Sequence, residues 1–297
     1  MVYLVLWLYF FVSDYNAIQP YFYQYYIFFV ILLTQKYYQK INALTLLKIV
    51  LFGIYLWSGI HKINMFYFKD ITENLTSDLN TGAFQSIVLN LAYSTPFLEI
   101  TIGLLILYNK VYKVLITLIT LLHLGILLLL VFIFKYNVAV WPWNIVMPLF
   151  ACYIITDKTS ILHPLKTKFK PALIVLVITC IFPVINIVKS HFSYISWNLY
   201  SGKVPYATLY FHKDIIDDIP QELHKDLSFE NGWYELHLFD YSLNNGNISV
   251  NPEINNYKKI AQSFCRYISD DSKFFLEIKT YGFSKQKFEQ YSCKQLH

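Results

Sequence analysis

The sequence predicts an all-α polytopic membrane helical bundle of six or seven spans over residues 1–190, followed by a small extracytoplasmic α+β domain over 191–297. Three observations carry that reading. Hydrophobic residues fill 56% of the 297 positions and aromatic residues 19%, while charged residues fill only 14%, too apolar a balance for a water-soluble domain. The apolar residues gather into runs approaching the ~20 residues that a helix needs to cross the hydrocarbon. Beyond residue 190 the runs stop, and polar sequence with turn signals at Ser201-Gly202, Asn231-Gly232 and Asn245-Gly246 takes over.

Residues 2–12 form an apolar run of only eleven, a short span or an interfacial helix. A signal peptide fits less well, because no basic segment precedes the run and no small-residue cleavage site follows it. A second run covers 20–34. The basic stretch QKYYQKIN then leads into ALTLLKIVLFGIYLWSGIHKIN, residues 43–64, around which the rest of the chain is organised. As a helix this run places Tyr55, Ser58, Gly59 and Lys62 on one stripe, with His61 stacked over Trp57. Lys48 lies near the start of the run, where snorkelling accounts for it. A polar stretch, 61–86, precedes further runs at about 87–108, 114–134, 139–156 and 171–189.

Lysines set the orientation. Lys36 and Lys40, then Lys110 and Lys113, then Lys158, Lys166, Lys168 and Lys170 occupy alternate loops, which places those loops in the cytoplasm. Residues 61–86, 135–138 and everything after about 190 then lie outside. The net charge of +5 is therefore a topology signal, and no nucleic-acid partner is expected. In the tail, WYELHLF and FFLEIKTY alternate as strands, and NYKKIAQSFCRYI reads as an amphipathic helix with Ile260, Phe264 and Tyr267 on one side. Cys265 and Cys293 are the one pair placed to form a disulfide in an oxidising compartment, whereas Cys152 and Cys180 read as packing residues. A domain of this size is near the lower limit for a self-supporting core, so it is expected to lean on the membrane domain or on an extracytoplasmic protein partner.

Polar residues inside apolar runs are the candidates for chemistry. Glu99 and His123 each sit mid-run, where a charged group costs about 2.5–3.5 kcal/mol; they either satisfy each other as a packing lock or belong to a site. VWPWN offers Trp141, Trp143 and Asn144, either as interfacial anchors or as the aromatic wall and amide clamp of a headgroup site. His61 and Lys62 either anchor to headgroups or line a dry pocket, in which Lys62 becomes a base. Lys62, Glu99, His123 and Trp143 are expected to converge on one pocket. Nucleotide-binding, zinc-protease and hydrolase motifs are absent from the sequence, as is any Cys/His metal spacing, so no metal is expected.

Four stretches carry a resemblance: YLWSGIHKINMFYF, PFLEITIGLLIL, LLHLGILLLL and VWPWNIVMPLF, between about residues 43 and 156. Together they resemble the horizontally transferred transmembrane (HTTM) family, the bacterial relatives of the vitamin K-dependent gamma-carboxylase membrane domain. DoxX-like and MauE-like membrane proteins share much of the pattern. The resemblance implies a reduced quinone, vitamin K-like, as cofactor. It places the catalytic lysine at Lys62, with His61, Glu99 and His123 as supporting polar groups; the reading of the residues themselves adds Tyr55, Trp141, Trp143 and Asn144 as candidate cofactor-binding groups. The tail has no counterpart of the family's lumenal substrate-capturing region. A reading of a different class is a non-catalytic membrane anchor or partner subunit presenting an extracytoplasmic domain.

Overall fold

The computed structural model describes residues 2–37, 42–78, 82–135, 137–157, 159–161, 170–188, 192–282 and 285–296. Lys40, Lys158, Lys166 and Lys168, four of the lysines used for orientation, lie outside the described residues. Contacts divide the chain into two units, Met1–Lys203 and Val204–His297. The stretch from 192 to 203 thus belongs with the helical unit.

The first unit contains α1 (Val2–Ser13), α2 (Pro20–Tyr37), α3 (Ala43–Lys62), α4 (Met65–Asp78), α5 (Gly82–Leu105), α6 (Tyr112–Leu128), α7 (Trp141–Ile155) and α8 (Lys170–Leu176). α6 runs on as a π-helical Leu129–Phe134, and α8 as a π-helical Val177–Ile181. Five described helices are long and apolar enough to cross a membrane: Ala43–Lys62, Gln85–Leu105, Tyr112–Ile133, Val138–Ile155 and Lys170–Ile187. α1 is too short, and in α2 the apolar residues are diluted by Tyr and Gln, which accounts for five where the sequence predicts six or seven. Part of the polar stretch 61–86 is helical as α4, which buries Phe66 and Tyr67.

α3 is the central helix, with 72% of its most apolar 18-residue stretch buried against 22–33% for those of the other four candidate spans. Glycines set its neighbours' approach. A Cβ on Gly59 would stand 2.5 Å from the Pro96 carbonyl oxygen of α5, and one on Gly103 of α5 would stand 3.0 Å from the Leu56 nitrogen; small residues let helix backbones close to this distance. On another side Trp57 Nε1 donates to the Cys180 carbonyl (2.8 Å), where α8 passes through its π-helical turn just before Pro183.

The second unit is a five-stranded antiparallel sheet in the order β2-β3-β1-β4-β5. Its strands are β1 (Tyr206–His212), β2 (Ser228–Glu230), β3 (Trp233–His237), β4 (Phe274–Tyr281) and β5 (Gln286–Tyr291). Helices α9 (Leu238–Gly246) and α10 (Ile254–Phe264) accompany it. Leu209, Phe211, Leu236, Leu276 and Ile278 from the sheet meet Tyr257 and Ala261 of α10 in one core. FFLEIKTY is a strand throughout, whereas WYELHLF is a strand only to His237, where α9 begins. Cys265 and Cys293 form a disulfide with a Cα–Cα distance of 5.6 Å.

Candidate functional site

The stripe on α3 ends in a buried ion pair. Lys62 Nζ lies 2.8 Å from Glu99 Oε2 and 3.1 Å from Oε1, and it also donates to Ser58 Oγ (2.6 Å) and the Ser58 carbonyl (3.2 Å). The two side chains are 8% and 7% exposed. An ammonium has three N–H donors, and Ser58 together with the carboxylate accounts for all of them. Gly59 makes this geometry possible, because a side chain there would hold α5 away from Lys62. Although Lys62 is the last residue of α3, its partner lies fourteen residues into the candidate span that begins at Gln85, about 21 Å of helix. Proline adds a further polar link: Pro96 has no N–H to offer the Ala92 carbonyl, and the Tyr67 hydroxyl of α4 donates to it instead (2.9 Å). Burial first, and then the charge of nearby Glu99, holds that hydroxyl's pKa well above its ordinary value.

Two turns back along the stripe, Tyr55 starts a second polar chain. Its hydroxyl is 2.9 Å from His123 Nε2, and His123 Nδ1 is 2.8 Å from Asn144 Oδ1. Asn144 Nδ2 donates to the Val140 carbonyl (3.0 Å), which fixes the amide so that Oδ1 is the acceptor. His123 therefore carries its proton on Nδ1 and accepts the Tyr55 proton at Nε2, a neutral tautomer set by its partners. Trp143 stands edge-on to His123, with centroids 6.4 Å apart, and donates from Nε1 to Gln24 Oε1 (3.0 Å), while Gln24 Nε2 reaches Met147 Sδ (2.9 Å).

The expected convergence thus resolves into two linked layers on α3, Ser58–Lys62–Glu99 and Tyr55–His123–Asn144. Glu99 and His123 do not satisfy each other as a lock, because each has a different partner. Trp141 packs with Tyr21, Leu130 and Val140, in a cluster that Trp143 shares. Lys48 does not snorkel: it is buried and bonds to Asp157 Oδ2 (3.2 Å), to the Thr159 carbonyl (2.9 Å) and to the Asp157 carbonyl.

His61 points away from the pair. Its ring packs on Trp57 (centroids 5.5 Å apart) and faces the Ser196 backbone, while its buried Nε2 has no hydrogen-bond partner among the described residues. Ser196 belongs to an irregular segment, Ser193–Lys203, in which Ser193, Tyr194, Trp197, Asn198 and Ser201 are also buried. Positive φ at Trp197 (61°), Tyr200 (55°) and Gly202 (68°) bends it, and at Gly202 a Cβ would stand 2.5 Å from the Tyr67 nitrogen. Asn64 ties the segment down: Nδ2 donates to the Ser201 carbonyl (2.8 Å), while Oδ1 accepts from the Phe66 and Tyr67 amides at the start of α4. Sequence reasoning missed Gln24, Asn64, Tyr67 and this segment. Gln24 left a signal as a lone amide among aromatics, and Asn64 as an N-cap type just before a helix.

Among the described residues no group of three or more His, Cys, Asp and Glu is placed to hold a metal ion. Long apolar helices around a buried polar seam are the construction of a membrane protein. Compared with known proteins, the chain matches no family model, no curated protein and no solved structure.

Proposed function

We propose that this chain is a multi-pass membrane protein that binds the ring of a reduced quinone, or of a similar amphipathic lipid, beside Lys62, and that the Lys62–Glu99 pair handles a proton there. Its lysine-bearing loops face the cytoplasm and its C-terminal unit lies outside, an orientation with which the Cys265–Cys293 disulfide agrees. The HTTM, carboxylase-like and DoxX-like resemblance belongs to the same proposal. The observation that carries it is a charged pair held among apolar helices, an arrangement that is costly and that marks ligand or proton sites.

The residues suit such a ligand. Tyr67 sets an aromatic ring and hydroxyl near Glu99, while His61 Nε2, beside Trp57, is a buried polar atom without a partner among the described residues. A hydroquinone supplies an acidic hydroxyl when bound. Lys62 meets it as a base only after passing its own proton to Glu99, since an ammonium nitrogen has no lone pair with which to accept one. Glu99, 2.8 Å away, takes that proton without rearrangement. The neutral amine then takes a proton at Nζ, and the restored ammonium holds a developing negative oxygen.

A second reading, the non-catalytic anchor, is favoured by the same saturation: Ser58 and Glu99 complete Lys62 with no ligand present. Quinone co-purification separates the two. The proposal expects a bound isoprenoid quinone in wild-type protein from mild detergent and its loss in Lys62→Met with Glu99→Leu, a pair that removes both charges together. Folded wild-type protein that carries no quinone and takes none up favours the anchor.

A further inference from the structure

The sheet of the C-terminal unit has one face that its core does not use. Ala207, Leu209 and Phe211 of β1 are buried in the core, so the alternate residues Thr208, Tyr210 and His212 point to the other side. Register assembles the rest of that side: Tyr210 lies between Glu235 of β3 and Phe275 of β4, Thr208 between His237 and Glu277, and Trp233 pairs with His212 and with Glu230 of β2. The rings form a continuous platform. Tyr210 and Phe275 stack with centroids 4.5 Å apart and planes 11° from parallel, Trp233 meets Phe275 edge-on at 5.1 Å, and His212 meets Trp233 at 5.2 Å.

Three carboxylates border these rings, and a cation shares the face, Lys279, paired in register with Tyr206 and set over the Tyr281 ring. Glu235 lies 3.6 Å from His237 Nε2, Glu277 accepts from Gln290 Nε2 (2.9 Å), and Glu230 accepts from Asn231 Nδ2 (3.4 Å). Among the described residues no Lys or Arg forms an ion pair with any of the three. Their field reaches the platform: burial first, then Glu235, Glu277 and Glu230, pushes the Tyr210 hydroxyl up to about 12. The whole unit shares the sign, with ten Lys and Arg against thirteen Asp and Glu from Val204 to His297, a net −3 in a chain of net +5. Aromatic faces attract cations through the ring quadrupole, and neighbouring carboxylates add charge complementarity; a neutral ligand would leave the carboxylates uncompensated.

We infer that this face docks a basic protein segment, with a lysine or arginine side chain over the Tyr210–Phe275–Trp233 platform and Glu235 and Glu277 as its counter-charges. The surface stands on its own geometry and is independent of the proposed lipid chemistry.

The test uses the full chain in nanodiscs of neutral phosphatidylcholine and a fluorescent hexalysine peptide, read by anisotropy against empty nanodiscs. Saturable binding is expected, and tetramethylammonium chloride should displace the peptide at lower concentration than sodium chloride does. Glu235→Gln with Glu277→Gln should weaken binding roughly tenfold, as two carboxylate contacts are lost. Phe275→Leu, which leaves the charge unchanged, should weaken it roughly two- to fivefold, the size of an exposed cation–π contact. Trp233→Leu replaces it if Phe275→Leu lowers the unfolding temperature. Glu222→Gln, which removes a carboxylate outside the sheet, should leave binding unchanged. Equal binding by wild type and the double glutamine variant overturns the proposal. So does a loss in the glutamine variant with none in either leucine variant, because diffuse charge alone would then account for the peptide.

Discussion

Helix α3 buries two lysines, each paired with a carboxylate, and it holds them differently. Lys48, near its start, meets Asp157 Oδ2 at 3.2 Å and two backbone carbonyls beyond the end of α7, and the Asp157 side chain stays 18% exposed. Lys62, at the other end, shares both oxygens of Glu99, and neither side chain exceeds 8% exposure. Asp157 is further occupied by the Thr159 amide and hydroxyl, so the Lys48 cluster closes on itself as a clasp between helix ends. The Lys62 cluster instead lies two turns from a chain of neutral hydrogen bonds through Tyr55, His123 and Asn144. Both lysines are buried; what differs is water access to the carboxylate and the company each pair keeps.

Breaking one partner of the drier pair should have the largest effect. Lys62→Ala strands Glu99 in a low-dielectric site and should cost about 3–5 kcal/mol, read as a fall in unfolding midpoint in detergent. Lys62→Met with Glu99→Leu should recover most of that loss, and failure to recover would mean that the charges themselves hold α3 and α5 together. Next comes Gly59→Ala, whose Cβ would meet the Pro96 carbonyl at 2.5 Å; overpacking of this kind costs about 1–3 kcal/mol. Gly125→Ala is its control, since nothing beyond its chain neighbours and the helix's own backbone lies within 4 Å of a Cβ there, and it should stabilise α6 by up to about 1 kcal/mol. Lys48→Ala should cost about 1–3 kcal/mol, the range for hydrogen-bonded groups left unpaired, because Asp157 can turn toward water. A loss equal to that of Lys62→Ala would erase the contrast between the two ends. Single cysteines should cost least, about 0.5–1.5 kcal/mol for a hydrogen bond lost at each position, and labelling them should assign the ends to sides: a membrane-impermeant reagent applied from outside should reach Asn245→Cys and spare Thr159→Cys, and the opposite pattern would reverse the proposed orientation.

Much of the helical unit was legible because hydrocarbon imposes a simple rule on sequence. The α3 stripe is a matter of helical period, and Glu99 and His123 stood out as polar residues in apolar runs. Their partners were not legible, since pairing depends on helix register. Glu99 meets Lys62 because Gly59 lies against Pro96, a relation between positions far apart in the chain. Lys48 was misread because proximity to a boundary permits snorkelling as readily as a clasp, and Asp157 lies 109 residues away. In the C-terminal unit FFLEIKTY kept its alternation, but β1, β2 and β5 were not recognised. Within Ser193–Lys203 only the turn at Ser201-Gly202 was legible, for the other bends need positive φ at Trp197 and Tyr200, residue types that carry no turn signal.

That segment also bears on the order in which the chain assembles. It follows α8, so during synthesis from the amino terminus α3, α4 and α5 are all made before the residues that bury His61 exist. Until Ser193–Lys203 arrives, the Ser201 carbonyl is missing from Asn64 and the Ser196 backbone is missing from the face of His61. The His61 face of α3 thus receives these contacts only after the rest of that helix and its neighbours α4 and α5 have been made. A chain ending before residue 193 would keep the Lys62–Glu99 pair but lack both of these contacts.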